Sequence, residues 1–357
     1  MTISLAHAAA MNLDSAKKII GNVSRQLLIA YLAFALCLLA TLVAWYVSHQ
    51  HALDSAREKF NQEVNASRIA INSRMHSYEQ ILRGGVGLFS ASIDVSREEW
   101  QRYVTSLRVS EAYPGIQGIG YAPVIAHDDK AVHIASVWRE GFDKYEILPP
   151  GDRKIYAPVL YREPMTGTNI RALGFNMYSE PNRRKAMELA RDTGSAAMTT
   201  KVQLVVENAA QSVASVIMYL PVYEHNTAPV TIDSRGAALK GFVFAPFRVN
   251  ELIDATVGDR LTQAGLDLEL FDSVAIDQKT LLYDRDNQPH FTDTTFRPLF
   301  SGQQTLEIAG QTWTLALHTL PAFELTIDRT KSSLILGGGA LLSFLLFGFL
   351  YSVSTQH

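Results

Sequence analysis

The chain has 357 residues, of which 47% are hydrophobic, and a formal net charge of −3. That length suffices for two or three domains, and so small a charge, without a polybasic or acidic block, argues against a nucleic-acid partner. The one cysteine, Cys37, excludes an internal disulfide and a cysteine-based zinc site, and no cofactor is expected.

Two uncharged apolar runs lie near the ends of the chain. The first covers residues 27–47 and ends near an aromatic pair, and the second covers residues 334–351. About 20 apolar residues in a helix cross a bilayer, and aromatic residues favour its interface. We therefore predict transmembrane helices at 27–47 and 332–353. A cleaved signal peptide is the alternative for the first run, which no small-residue cleavage site follows.

The basic residues predict how the chain crosses the membrane. Lys17, Lys18 and Arg25 precede the first run, so residues 1–26 are expected to form a cytoplasmic leader and residues 49–331 to lie outside the cytoplasm. The expected location is a bacterial inner membrane, with two spans and a periplasmic sensor part. Two basic residues just before the second run argue the other way. The short tail after that run leads us to expect that a cytoplasmic output domain is missing.

Residues 48–85 are predicted to form a stalk helix. Apolar positions recur there in steps of three, four and four, an 11-residue period that keeps one stripe on one side of a nearly straight helix. The stripe comprises Leu53, Ala56, Phe60, Val64, Ser67, Ile71, Met75, Tyr78 and Leu82. It must be buried either against its own domain or against a second copy, and we favour a homodimer seam. Gly84, Gly85 and Gly87 are expected to interrupt the helix.

A first α+β unit is predicted at 86–234. Ser96 and Glu99 have the spacing of a capping box, which opens a helix, and residues 116–125 have the composition of a strand. The sequence His127-Asp128-Asp129 fits the start of another helix better than a metal site or a catalytic base.

The middle of this unit reads as strand, helix and strand. The strands are expected at 155–161 and 215–223, and the helix between them has Ser179 as N-cap, Pro181 in its first turn and Gly194 after its end. Three basic residues, 183–185, stand at the helix N-terminus, where the helix dipole is already positive. Either neighbouring acidic residues or a bound anion would offset their charge.

A second α+β unit is predicted at 235–331. Its expected elements are a strand at 241–247, a helix at 249–256, a strand at 266–271 and a hairpin at 304–317 that turns at Ala309-Gly310. In the hairpin, Trp313, Leu315 and Leu317 alternate with smaller residues and predict one buried face. The fold class is therefore α+β, with a stalk helix followed by two tandem units that each contain an antiparallel sheet.

Several segments of the chain resemble the CHASE domain, a sensor module of transmembrane receptors that include histidine kinases, diguanylate cyclases and the plant cytokinin receptors. The matching segments lie at 83–89 (RGGVGLF), 113–117 (YPGIQ), 120–123 (GYAP), 174–177 (GFNM), 183–194 and 220–223 (LPVY). The resemblance implies a stalk helix followed by two PAS-like units, with a small-molecule ligand in the membrane-distal one.

The resemblance also implies where the ligand binds. The aspartate that holds the adenine ring in cytokinin receptors corresponds to Asn176, whose amide both donates and accepts hydrogen bonds, so the pairing with an amino-purine would change. The other expected ligand-binding residues are Phe175, Met198, Thr199 and Tyr219. For each residue the alternative is a purely structural role, as core, strand or turn.

No sequence motif of catalysis is found, whether a metalloprotease, hydrolase, nucleotide-binding, kinase or cyclase signature. We therefore do not expect the chain to be an enzyme. Two functions remain. The first is a ligand-binding sensor that signals through the membrane, and the second is an interaction module that binds a periplasmic partner protein without a small molecule.

Overall fold

A computed structural model describes residues 3–204, 213–293 and 295–355 of the protein. The chain divides into two compact units. One contains Asn61–Phe323, and the other contains the residues up to Phe60 together with those from Glu324 onward.

Helices dominate the beginning of the chain, and strands its middle. The first part forms α1 (Ile3–Ala91), α2 (Arg97–Ser106), α3 (Val109–Ala112), β1 (Ile119–Pro123), β2 (Ile125–Ala126), α4 (Lys130–Arg139), β3 (Ile155–Tyr156), β4 (Tyr161–Glu163), α5 (Pro181–Thr193), β5 (Ala197–Met198) and β6 (Ser215–Tyr223). The remainder forms α6 (Ile232–Ala238), β7 (Leu239–Arg248), α7 (Val249–Ile253), α8 (Asp259–Ala264), β8 (Leu266–Phe271), β9 (Leu281–Asp284), β10 (Ser301–Ile308), β11 (Gln311–Thr319), α9 (Pro321–Leu325) and α10 (Thr330–Thr355).

Two antiparallel sheets form the unit Asn61–Phe323. The five-stranded sheet has the order β4-β1-β7-β6-β5, and the four-stranded sheet has the order β10-β11-β8-β9. Strands β2 and β3 form a separate small ladder. The predicted fold class, α+β with a long helix followed by two antiparallel-sheet units, is confirmed.

The position of β7 corrects one expectation. We predicted that residues 241–247 would open the second unit, but β7 pairs with both β1 and β6 in the five-stranded sheet. Its residues Gly241–Phe247 are buried throughout, so the strand needs neighbours on both edges and covers on both faces. Pairing between distant segments decides this, and local sequence patterns do not show it. The other domain bounds stay predictions.

We expected the three glycines near residue 85 to interrupt the first helix, and this prediction was wrong. Helix α1 continues through them to Ala91. Gly84 and Gly85 make room for α2 instead, whereas Gly87 has no neighbour within 4 Å of where a Cβ would lie. A side chain on Gly84 would place its Cβ 2.5 Å from the hydroxyl oxygen of Tyr103, and one on Gly85 would lie 3.2 Å from the ring of Trp100. That close approach lets Tyr103 donate a hydrogen bond of 2.6 Å to the carbonyl oxygen of Ile81.

The apolar stripe of the stalk is already buried within a single chain. Val64, Ser67, Ile71, Met75, Tyr78 and Leu82 are at most 4% exposed. The ring of Tyr78 stacks on Phe247 of β7 at 5.3 Å, and its hydroxyl donates to the carbonyl oxygen of Pro114 at 2.6 Å. A dimer seam through this stripe was therefore the wrong alternative, because the stripe packs on its own domain.

Helix α5 begins one residue later than we predicted. Its N-cap is Glu180, whose carboxylate accepts from the backbone N–H groups of Asn182 and Arg183 at 3.0 and 2.8 Å. Ser179 belongs to the preceding 3₁₀ turn and donates its hydroxyl to the carbonyl oxygen of Asn176. The helix ends at Gly194, with φ of 70°, as predicted.

Other local predictions were confirmed in part. The capping box opens α2, β6 and β8 have the predicted bounds, and the hairpin β10–β11 turns at Ala309 and Gly310, both with positive φ. The strand expected at 155–161 splits into β3 and β4, which pair with different partners. The helix expected at 249–256 continues through a π-helical turn into α8. Asp129 precedes α4 without a capping hydrogen bond from its side chain.

In the four-stranded sheet, β8 and the middle of β11 are buried on both faces, whereas the edge strand β10 is largely exposed. We had predicted one buried face. Trp313, Leu315 and Leu317 are fully buried, but Thr314 and Ala316 on the opposite face are at most 3% exposed. The connection between β9 and β10 covers that second face, where Phe291 packs edge-on against Phe271 at 5.4 Å.

The other unit contains two apolar helical segments that pack on each other. Phe34 of α1 contacts Phe344 and Phe347 of α10, with ring centroids 5.2 and 5.1 Å apart. Gly339 lies against Thr41, where a side chain would collide, a small-residue contact typical of helix pairs in membranes. By length and composition both helices can cross a membrane. Their outward leucines, such as Leu36 and Leu342, are about two-thirds exposed.

Candidate functional site

One face of the five-stranded sheet carries a continuous row of residues under α5. The strand register aligns Arg162 of β4, Gly120 of β1, Phe244 of β7, Tyr219 of β6 and Ala197 of β5. Residues opposite one another in a ladder point to the same face. Gly120 has no side chain, and the ring of Phe244 occupies the space above it.

Helix α5 covers this row with its small and flexible residues. Ala186, Met187 and Ala190 of the helix are buried in one apolar cluster with Tyr219 and Phe244. Phe175 and Tyr178, from the segment before the helix, pack against the same cluster. The space between α5 and the sheet is therefore largely apolar, and the polar groups within it need partners.

Asn176 is the central polar residue of this region and is fully buried. Its side-chain oxygen Oδ1 accepts from the backbone N–H groups of Ala157 at 2.8 Å and Tyr178 at 3.2 Å. These two bonds fix the orientation of the amide, so Nδ2 faces the other way. Nδ2 finds no hydrogen-bond partner in the described part of the chain. A buried donor without a partner costs about 1–3 kcal/mol, so this amide has an unused capacity to donate a hydrogen bond.

The bonds of Asn176 revise the role that we expected. We expected its amide to offer both donors and an acceptor, but the oxygen is occupied by the backbone and only the N–H groups are free. The N-terminus of α5 is likewise occupied, because Glu180 accepts from its first N–H groups. Of our two alternatives for this helix end, a neighbouring acidic residue or a bound anion, the first is found, and the acidic residue is Glu180.

Arg183 of α5 brings a guanidinium into the same region. It is 3% exposed, donates from Nη2 to the carbonyl oxygen of Gln203 at 2.9 Å, and lies 4.8 Å above the ring of Phe175. Its Nε has no hydrogen-bond partner in the described residues, and Glu180 lies 3.8 Å away. The sulfur of Met177 accepts from Arg183 at 3.3 Å and from the hydroxyl of Tyr219 at 3.4 Å.

Arg162 is a second buried guanidinium, and sequence reasoning missed it. It is 3% exposed, and burial together with the charge of Arg183 lowers its pKa to about 10. Within the described residues no carboxylate lies at ion-pair distance from Arg162, and its Nε has no hydrogen-bond partner. The strand predicted at 155–161 ended one residue before it, and Glu163 follows it, so nothing in the local sequence indicated that Arg162 is buried.

The remaining predicted site residues divide between the two faces of the sheet. Thr199 is buried, and its hydroxyl oxygen accepts from the backbone N–H of Ile217 at 3.0 Å. Met198 pairs with Met218, one position away from the row that contains Tyr219, so its side chain lies on the opposite face. Phe175, Asn176 and Tyr219 are therefore brought together around Met177, and Met198 is not.

The donors around Met177 outnumber the acceptors. Nδ2 of Asn176, Nε of Arg183 and the hydroxyl of Tyr219 have at most a sulfur as acceptor, and sulfur is a weak one. Burial raises the pKa of Tyr219, so its hydroxyl keeps its proton. The arrangement can hold a small group that accepts hydrogen bonds and carries negative charge.

The CHASE domain model matches residues 93–283, more than half of the chain. The chain belongs to the CHASE domain family. The match confirms the resemblance seen in the sequence and extends beyond it into the four-stranded sheet. CHASE is a sensory domain, and all the residues of the site described above lie within the match.

The chain is also similar to the hybrid signal transduction histidine kinase A of Dictyostelium discoideum. The two are 23% identical over 350 residues, which is 90% of this chain and 16% of that protein. The chain thus spans a small part of the relative's length.

Two solved sensor structures show a weak likeness in shape. One is the extracellular ligand binding receptor from Desulfohalobium retbaense DSM5692, with a TM-score of 0.37, 6% identity, and coverage of 75% of this chain and 39% of that chain. The other is the periplasmic sensory domain of the Campylobacter jejuni chemoreceptor Tlp1, with a TM-score of 0.40, 10% identity, and coverage of 78% and 96%. Scores this low support no inference about function.

The uncompensated charge of Arg162 predicts a gain in stability when it is removed. Arg162→Met should raise the free energy of unfolding of the ligand-free chain by about 1–3 kcal/mol, because a buried cation without a carboxylate partner is replaced by an apolar side chain of similar length. The hydrogen bond that is lost, from Nη2 to the carbonyl oxygen of Gln117, is long at 3.4 Å. Urea unfolding of the purified full chain in detergent measures this. Arg102→Met, at an exposed position of α2, is the control and should stay within about 0.5 kcal/mol. A loss of stability in Arg162→Met would show that the existing contacts of Arg162 already satisfy it.

Proposed function

We propose that this chain is the extracytoplasmic ligand-sensing part of a transmembrane signalling receptor. It binds a small molecule with a carboxylate or a similar anionic group between α5 and the five-stranded sheet, and it relays the signal through the membrane to a cytoplasmic output domain. We assign the chain itself no catalytic role. The observation that carries the proposal is the fully buried Nδ2 of Asn176, which has no hydrogen-bond partner in the described residues and lies in the segment that leads into α5 and its buried Arg183.

Charge favours an anionic ligand. Arg162 and Arg183 repel each other, and Glu180, the one carboxylate near Arg183, is partly exposed and engaged with the N-terminus of α5. A carboxylate accepts several hydrogen bonds at once, and charge-assisted bonds to arginine are about twice as strong as neutral ones. An anion would satisfy the orphan donors and reduce the repulsion between the arginines.

Burial favours a small molecule over a partner protein. Asn176, Arg162 and Arg183 are between 0% and 3% exposed, so the surface of another protein cannot reach their free donors. The alternative function, an interaction module without a small-molecule ligand, supplies no acceptor for these buried donors. We therefore place the ligand inside the sensor.

The contacts of α5 provide a route for the signal. Leu189 of α5 lies against Gly310 at the tip of the β10–β11 hairpin, where a side chain on the glycine would be 2.8 Å from it. On the other side of the tip, the backbone N–H of Met198 donates to Ala309 at 2.8 Å, and Gln311 donates to the carbonyl oxygen of Met198 at 3.0 Å. A ligand that displaces α5 would move this hairpin, and with it the four-stranded sheet.

Ligand binding is expected to depend on Asn176 and Arg183. A panel of monocarboxylates, dicarboxylates, amino acids and inorganic phosphate is screened by thermal shift on the purified full chain, and a hit is titrated calorimetrically. Asn176→Ala should weaken binding about tenfold through the loss of one or two neutral hydrogen bonds. Arg183→Ala should cost about 1.5–3 kcal/mol because a charge-assisted bond is lost.

Arg184→Ala is the matched control, because Arg184 is the exposed neighbour of Arg183 on the same helix. It should bind with wild-type affinity. Near-ultraviolet circular dichroism shows whether each variant keeps its packing. Unchanged affinity in folded Asn176→Ala and Arg183→Ala proteins would mean that both residues serve only the local structure.

The membrane topology is expected to place Ser92 outside and Thr355 inside the cytoplasm. The support is the pair of apolar helices and the basic residues before the first. Single cysteines at these positions, in a Cys37→Ser background, are treated in whole cells with a membrane-impermeant maleimide. Labelling of Ser92→Cys alone agrees with two spans. Equal labelling of both positions contradicts them.

Homodimerisation is part of the proposal, through the face of α1 opposite the buried stripe. Ile69 on that face is 51% exposed, whereas Val64 in the stripe is 4% exposed. In the Cys37→Ser background, Ile69→Cys should form disulfide-linked dimers in membranes, and Val64→Cys should stay monomeric. A Val64→Cys dimer without an Ile69→Cys dimer would restore the stripe as the seam.

A further inference from the structure

The four-stranded sheet holds a group of acidic and histidine side chains on one face. Strand β8 alternates leucine with Asp267 and Glu269, so both carboxylates point to the same side. The register places His318 of β11 opposite Asp267, and Asp284 of β9 opposite Glu269. The connection after β9 covers this face and adds further ligand-type side chains from 286 to 290.

The ligand atoms of this group lie close together. Nε2 of His290 is 3.2 Å from Oδ2 of Asp286 and 3.8 Å from Oδ2 of Asp267. These three side chains each offer one atom within 4.8 Å of the others. Beside them, Nε2 of His318 is 3.8 Å from Oε2 of Glu269.

The two carboxylates of β8 are buried without adequate partners. Asp267 and Glu269 are 0% exposed. Neither oxygen of Asp267 and only one oxygen of Glu269 has a hydrogen-bond partner in the described residues. Within the same residues no lysine or arginine lies at ion-pair distance from either carboxylate.

We propose that Asp267, Asp286 and His290 bind one divalent transition-metal ion of the Zn²⁺ type. Bonds of about 2.0–2.1 Å in tetrahedral geometry separate neighbouring ligand atoms by roughly 3.3 Å, close to the 3.2 and 3.8 Å found here. Calcium and magnesium favour oxygen ligands throughout, whereas a mixed set of imidazole and carboxylate suits zinc and its neighbours.

Neighbouring residues hold the ligands in place. The backbone N–H of His290 donates to Oε1 of Glu269 at 2.6 Å, and its ring stacks on Phe296 at 3.8 Å. These contacts set the direction of the imidazole, as outer residues do in known metal sites.

The test uses the purified full chain in detergent, stripped with EDTA and then titrated with ZnCl₂. The unfolding temperature should rise by about 5 °C or more when zinc reaches a hundred times its dissociation constant. Elemental analysis should find one zinc per chain. Asp267→Asn and His290→Ala should each weaken zinc binding by about 100-fold or more, because each removes a metal ligand. Asp259→Asn, at an exposed position of α8, should bind zinc like the wild type.

The unfolding temperatures of the metal-free proteins distinguish a metal site from a cluster that only stabilises the fold. Without zinc, Asp267→Asn should unfold at or above the wild-type temperature, because the amide removes an uncompensated buried charge. A marked fall would mean that Asp267 has a structural role and would contradict the proposal. If Asp267→Asn does not fold, Glu269→Gln and His290→Ala provide the same comparison.

Three further results would overturn the metal site. The wild type could show no shift with Zn²⁺, Mn²⁺ or Ni²⁺. Zinc could produce an equal shift in the wild type and in His290→Ala, as adventitious surface binding would. Spermidine could stabilise the wild type through Asp267 where zinc does not, which would identify an organic cation as the occupant.

Discussion

Charge buried without counter-charge is the constraint on which both sheets of the sensor depend. Removing an ion from water costs several kcal/mol unless a partner compensates it. In the described residues, Arg162 of the five-stranded sheet has no carboxylate at ion-pair distance, and Arg183 of α5 above it has the partly exposed Glu180 at 3.8 Å. The four-stranded sheet holds Asp267 and Glu269 without a lysine or arginine at ion-pair distance in the same residues. The ligands proposed above for the two sheets are therefore of opposite sign, an anion beside the arginines and a metal cation beside the carboxylates. On these proposals the protein would give up some stability when no ligand is bound, a trade-off that is common where binding is the function.

The hairpin β10–β11 connects these two regions within the sensor. Its tip touches α5 through Gly310 and bonds to β5 through Met198. Its second strand, β11, carries His318 beside the acidic group. Protein interiors are close-packed, so a displacement at the tip has to be accommodated along the strands. Met198, which we expected to line the pocket, therefore has a place in the structure as a link between the sheets.

Local sequence signals predicted most of the elements, whereas distant pairing and burial escaped them. The capping box of α2, the bounds of β6 and the turn at Ala309-Gly310 depend on residues that are neighbours in sequence, so they were predictable. The sheet to which β7 belongs depends on β1, more than a hundred residues away. The continuation of α1 past Gly84 depends on the approach of α2.

The candidate site was likewise predictable only in part, in its residue types but not in its three-dimensional arrangement. Asn176 and Tyr219 could be named from a resemblance, but the face on which Met198 lies requires the strand register. The cap of α5 was decided by competition, because the carboxylate of Glu180 reaches the N–H groups that Ser179 was expected to meet. Asp267 was visible only as a charged residue that alternates with leucines in a strand, and nothing in the local sequence singled out Arg162. That neither has an oppositely charged lysine, arginine or carboxylate partner in the described residues is a property of the folded chain.

The bonds of Asn176 explain how this scaffold could change its ligand without changing its fold. One side-chain oxygen at this position accepts from Ala157 and Tyr178 and closes the turn before α5. An aspartate, which the resemblance to cytokinin receptors places here, would keep those bonds and present its second oxygen to the ligand as an acceptor. Asparagine presents N–H donors at that point instead. If the proposed ligand binds here, asparagine leaves the backbone contacts intact and inverts the polarity of the group that faces the ligand. An amino-purine edge that donates would meet another donor, whereas a carboxylate would accept from the amide of Asn176.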